Sequence, residues 1–273
     1  MNQRRVVLPV QQSQRQTNLR LLLLLLSVSF PMAWFSPLPF TGGVAVAQVS
    51  AEERGAEANR LYELGKQQYR AQQWRQAVQS FESALEHYRS LDNQQYKAYT
   101  LSYLGELHQL LSEYAQALDY HQQSLVISRE IGDRTGEAIT LANIGNVNQL
   151  LGNYPSALNY HQQSLDLSRA LGDRAGEAST LGNIGEVNRL LGNYPIALDF
   201  YQRSLLITRE IGDRAGEART LTGIGIVNKL LGNYPTALDF YQRSLLISRN
   251  IGDRASEAST LNNIGNVNQV LGN

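Results

Sequence analysis

Apolar and polar positions along residues 138–177 follow a helical rhythm. Leu141, Ile144, Gly145 and Leu151 are spaced i, i+3, i+4 and i+10, which sets them on one side of a helix. Ala142, Asn143, Asn146 and Gln149 take the opposite side. Gly152-Asn153 then supplies a helix stop, and Pro155 suits the first turn of a second helix, where its missing N–H costs nothing. In that helix Ala157, Leu158, His161, Ser164 and Leu165 share a face, while Tyr160 and Leu167 form a second stripe. Gly172 ends it, and Asp173 is placed to cap the next helix with Glu177 in its first turn. Two such helices cannot bury two apolar stripes by themselves. The second stripe needs a neighbour.

That neighbour is another copy of the same unit. Gly65, Gly105, Gly145, Gly185, Gly225 and Gly265 recur every 40 residues, and Ala77, Ala117, Ala157, Ala197 and Ala237 keep the same step. Residues 191–221 and 231–261 are identical at 26 of 31 positions. The chain therefore reads as an array over 58–273, about five complete units followed by the first helix of a sixth. Stacked hairpins bury what single ones cannot, which predicts an all-α solenoid.

The run Leu61 to Leu85, with Leu64-Gly65, Trp74, Ala77-Val78, Phe81 and Ala84, resembles a tetratricopeptide repeat (TPR). The usual unit has about 34 residues; here the added length lies in segments such as Arg209 to Ala218 between hairpins. The longer form is similar to repeats of kinesin light chains, of spindle-orientation G-protein regulators and of bacterial proteins that couple such repeats to a CHAT-type protease. The resemblance implies a right-handed α-solenoid whose concave groove takes a protein or an extended peptide. It says little about which partner, because one fold hosts many functions.

The first 47 residues have a different composition. Their charges are Arg4, Arg5, Arg15 and Arg20, followed by Leu21 to Leu26, a mixed apolar run to Phe35, and Ala45-Val46-Ala47. A basic start, an apolar stretch and small residues before a cut describe a signal peptide over 1–47, with export after cleavage near Ala47 and a linker over 48–57. The alternative is a membrane anchor retained through residues 21–40, although Pro31, Pro37 and Pro39 interrupt that stretch.

Charge and chemistry narrow the function. The 24 basic and 24 acidic side chains balance, and the portion after Ala47 is mildly acidic, which disfavours nucleic acid as a partner. With no cysteine there is no disulfide, thiol nucleophile or thiolate metal site. His121 and His161 are equivalent in successive units, yet a bare pair falls short of zinc ligation; packed core rings that bond by one nitrogen are expected. Asp133-Arg134, Asp173-Arg174, Asp213-Arg214 and Asp253-Arg254 recur as helix caps, whereas a catalytic pair would be needed once. Gly182 to Gly185 and Gly223 to Gly225 lack the strand and spacing of a phosphate loop. The reading is a non-catalytic scaffold without cofactor, metal or small-molecule substrate.

The candidate binding face is the side of each first helix opposite its apolar stripe. It comprises Tyr62, Lys66, Tyr103, Glu106, Asn143, Asn146, Gln149, Asn183, Glu186, Arg189, Arg219, Lys229, Asn263 and Asn266. Asparagine supplies both donors and an acceptor, so a row of them suits an extended backbone. Asn148, Asn188, Asn228 and Asn268 fall among apolar positions, with His108 taking that place in the second unit. They read either as a buried ladder bonding between units or as groove residues. The final Leu271-Gly272-Asn273 matches the end of a first helix. That leaves the last stripe uncapped and suggests a longer protein, with the array as recognition arm of an exported enzyme, or self-association through the open end.

Overall fold

The computed structural model describes residues 50–272, and the expected signal peptide lies outside them. Eleven helices follow one another: α1 (Ala51–Arg70), α2 (Trp74–Ser90), α3 (Gln94–Leu110), α4 (Tyr114–Glu130), α5 (Arg134–Leu150), α6 (Tyr154–Leu171), α7 (Arg174–Leu190), α8 (Tyr194–Glu210), α9 (Arg214–Leu230), α10 (Tyr234–Ile251) and α11 (Arg254–Leu271). The described residues contain no strand. Odd helices are the first of each hairpin and even ones the second, and the chain folds as the expected all-α solenoid. One boundary moves. Residues 51–57, read as linker, form the opening turns of α1, because Ser50 and Glu53 make a reciprocal capping box.

Local chemistry starts and stops these helices. The carboxylates of Asp133, Asp173, Asp213 and Asp253 accept from the backbone N–H three residues on, satisfying one of the free donors at each helix start. The turns reverse through a left-handed residue, φ 69–79° at Gly152, Gly172, Gly192 and Gly232. In the early units the same place is held by Gln72 at φ 59° and Ser112 at 62°, and Asp92 at 52° turns the chain after α2.

Packing then joins hairpin to hairpin. Leu141 and Ile144 of α5 meet Leu125 of α4, in the preceding hairpin, and Leu167 of α6, in their own, so each first helix is buried between two second helices. The next unit repeats the contact with Leu165, Leu181, Ile184 and Ile207. Full burial of such a side chain is worth about 1.5–3 kcal/mol. The small residue at Gly65, Gly105, Gly145, Gly185 and Gly225 lets an aromatic ring of the second helix lie against the first: Phe81, His121, His161, Tyr201 and Tyr241 in turn. Successive first helices also touch, α3 with α5, α5 with α7, α7 with α9 and α9 with α11, while no comparable contact joins successive second helices. The first helices therefore line the inner, concave side. No described helix is long and apolar enough to cross a membrane.

The histidines depart from expectation. His121 and His161 are wholly buried, but neither ring nitrogen of either finds a partner, where one bond each was expected. Each ring lies against the glycine of the first helix, Gly105 or Gly145. The described residues hold no cluster of three metal-ligating side chains.

Candidate functional site

Three cavities follow one another along the concave side. The first, about 520 Å³, lies where α1, α3 and α5 converge and is lined by Tyr62, Tyr69, Tyr99, Tyr103, Glu106, Asp133 and Ile139. The second, about 190 Å³, opens between α5 and α7 and carries Asn143, Asn146, Asp173 and Asn183. The third, about 310 Å³, lies between α7 and α9 and carries Asn183, Glu186, Tyr201, Asp213, Arg219, Thr222 and Ile226. Ile139 is shared by the first two and Asn183 by the last two, so they form one continuous groove.

Its floor is fixed by a bond repeated in every complete hairpin after the first, where Ala84 replaces the serine. Ser124, Ser164, Ser204 and Ser244 donate from the second helix to the backbone carbonyls of Ala98, Ala138, Ala178 and Ala218, at 2.8–2.9 Å. Each is buried, and each spends a donor on a first-helix carbonyl that a serine hydroxyl can reach only at close approach. The rim is polar and partly unspent. Asn143 donates to Glu106 Oε1 at 3.2 Å, whereas Asn146 and Asn183 make no side-chain bond among the described residues.

The expected groove residues separate into two groups. Tyr62, Tyr103, Glu106, Asn143, Asn146, Asn183, Glu186 and Arg219 come together in the three cavities. Lys66, Gln149, Arg189, Lys229, Asn263 and Asn266 line none of them. Lys66 lies over the Tyr62 ring, 5.4 Å from its centre, and pairs with Glu63 at 2.8 Å. Arg189 folds back onto Glu186. Tyr62 is also less displayed than its helical angle implied. It is 7% exposed, edge-on to Phe81, Tyr88, Tyr96 and Tyr103, and burial pushes its hydroxyl pKa up.

The asparagines in the apolar stripe resolve against a ladder between units. Asn148, Asn188 and Asn228 are buried, and each donates to the carbonyl four residues back, Ile144, Ile184 and Ile224, at 2.8–2.9 Å. Their own backbone carbonyls accept the N–H of Asn153, Asn193 and Asn233. They stitch the end of their helix to the following turn. His108 does the same work differently, placing Nδ1 2.6 Å from Glu113 Oε2 and stacking on Tyr120. Asn268, in the last helix, is half-buried.

Tyr69 and the capping aspartates Asp133, Asp173 and Asp213 were missed as groove residues. The aspartates' signal was the cap itself: α5, α7 and α9 begin at the concave edge, so the N-cap of each lines a cavity.

A tetratricopeptide-repeat model matches residues 96–170 and 176–249, and a second such model matches 61–90. The chain belongs to the tetratricopeptide repeat family. Among solved structures the TPR array is similar to BtubC (BKLC) from P. vanneervenii, at 20% identity and a TM-score of 0.64, covering 74% of this chain and 83% of that one. It is similar to aspartyl phosphate phosphatase F from Bacillus subtilis, at 17% identity and 0.70, over 77% of this chain and 56% of that one. It is also similar to a Rap protein complexed with competence and sporulation factor, at 17% and 0.69, over 79% of this chain and 64% of that one. The array thus spans less than two thirds of the last two proteins. At these identities the likeness is one of fold. A comparison with curated proteins gives no match.

Proposed function

We propose that this TPR array is a protein-interaction scaffold that holds an extended segment of a partner along its concave groove. The observation that carries the reading is the unbroken run of cavities whose rim asparagines, Asn146 and Asn183, keep their amides unspent. An extended backbone presents unpaired N–H and C=O groups, which amides of both polarities can meet. The solved Rap protein holding a bound factor supports the same use of this fold. The order of basic, apolar and small residues over 1–47 supports export, with the mature chain starting near Gln48. N-terminal sequencing of the native protein tests that start.

For the groove, partners captured by the full chain from its native source should be tiled as short overlapping peptides and titrated. An Asn146→Ala, Asn183→Ala double variant should bind the positive peptides at least about tenfold more weakly, with an unchanged helical spectrum. Equal affinity in wild type and variant would overturn the groove reading.

A further inference from the structure

Positions 106 and 186 are equivalent in the 40-residue frame, and both are glutamate. Glu186 is neutralised within its own hairpin. Arg189 donates to its two carboxylate oxygens at 2.7 and 2.5 Å, and the Tyr201 hydroxyl adds a bond at 2.7 Å. Glu106 has neither partner. Gln109 stands where Arg189 would be, and His121 where Tyr201 would be. Its carboxylate accepts only from two neutral donors, the Tyr69 hydroxyl and the Asn143 amide, each at 3.2 Å. Every other buried or half-buried glutamate among the described residues faces an arginine or a histidine. Burial pushes the Glu106 pKa up, outweighing the two neutral hydrogen bonds, and no cationic side chain pairs with it.

In front of that carboxylate lies the largest of the three groove cavities, about 520 Å³, with tyrosines Tyr62, Tyr69, Tyr99 and Tyr103 among its walls. No lysine or arginine lines it; its other charged residue, Asp133, is also acidic. Aromatic faces attract cations, and they do so more strongly where water is excluded. A guanidinium is planar, stacks on a ring and presents a fork of donors to a carboxylate, which an ammonium does not.

We infer that the tyrosine-walled cavity at Glu106 is a specificity pocket that seats the guanidinium of an arginine carried by the segment in the groove. The inference rests on the groove reading above and deepens it, since it names the chemistry of one side chain in the partner.

The test is selection of a random decapeptide library on the full chain, followed by titration of selected peptides in three forms, with arginine, lysine or neutral citrulline at the enriched position. Arginine should be enriched at one fixed position, and citrulline there should weaken binding at least about tenfold. Lysine should fall between them. Glu106→Gln should weaken the arginine peptide by a similar factor while leaving the citrulline peptide within about twofold, a coupling that a merely structural glutamate would not give. Tyr99→Ala, on the cavity rim, should lower the same arginine preference without touching the carboxylate. Peptides that depend on Asn146 and Asn183 but show no arginine preference would overturn the pocket and leave the groove standing. Peptides indifferent to both sets of changes, or no selected peptide at all, would overturn both.

Discussion

Gly105 and Gly265 occupy the same place in the repeat and should respond to the same substitution with opposite signs. A methyl at Gly105 would come within 2.5 Å of the buried His121 ring, which is enclosed on its other sides. Gly105→Ala is expected to lower stability by about 1–3 kcal/mol through overpacking. At Gly265 a methyl meets nothing within 4 Å, so Gly265→Ala should raise stability by up to about 1 kcal/mol through helix propensity alone. Paired urea titrations decide it, and equal signs would sink the packing argument. Ser112 supplies a second case. It holds φ 62° where later units have glycine, and a left-handed residue with a side chain is strained by about 1–2 kcal/mol. Part of that gain is offset by glycine's freedom in the unfolded chain. Ser112→Gly should therefore add roughly 0.5–1 kcal/mol, read as a higher melting midpoint.

Between elements, the recurrent joint is a carboxylate held by two arginines. Glu177, in the first turn of α7, is 8% exposed; Arg169 from the end of α6 reaches one oxygen at 2.8 Å, and Arg174 reaches the other at 2.5 Å. Glu137 and Glu217 repeat the arrangement with Arg129, Arg134, Arg209 and Arg214. The clip ties the end of one hairpin to the start of the next. It also explains why Asp and Arg recur as neighbours: the aspartate caps the helix, and the arginine closes the clip. Both arginines are well exposed and can be rehydrated, so losing the carboxylate costs less than losing a fully buried pair. Glu177→Ala should lower stability by about 1–2 kcal/mol, and the difference should shrink at about 1 M salt. A salt-independent difference would mean that packing, not charge, holds the joint.

Across the whole array, acid should loosen the stack through its two buried histidines. Burial pushes the pKa of His121 and His161 down to about 4 from the ordinary 6.5. The unfolded chain takes up their protons as the pH falls through 6.5, while the folded chain resists until near 4. Their stabilising effect is therefore complete above pH 6.5 and is lost progressively between 6.5 and 4, by of the order of 3 kcal/mol for each ring. Sister units hold Phe81 and Tyr241 at this place, so an aromatic ring without a titrating nitrogen fits the frame. The His121→Phe, His161→Phe variant should lose less of its melting temperature between pH 7 and pH 5 than the wild type. Parallel curves would show that other groups govern the acid response.

The forty-residue period, the hairpins, their aspartate caps and glycine turns, and hence the family, were legible in the residues alone. Each depends on spacing or on a bond spanning three or four positions, and such relations survive in a linear pattern. Most of the cavity-lining face was legible for the same reason, since helical angle places Tyr103, Asn143, Asn146 and Asn183 away from the core stripe. Helical angle could not decide what meets each face. Tyr62 lies beneath a cluster of aromatics, Tyr88 from its own hairpin and Tyr96 and Tyr103 from α3 of the next. Asn148 turned to its own helix, donating to the carbonyl of Ile144. Glu106 and Glu186 sit in one register of one repeat, yet only the packed structure shows one neutralised and the other facing an acidic, tyrosine-walled space. That distinction depends on residues three, fifteen and thirty-seven positions away converging on one point, and convergence over such separations is the work of tertiary packing.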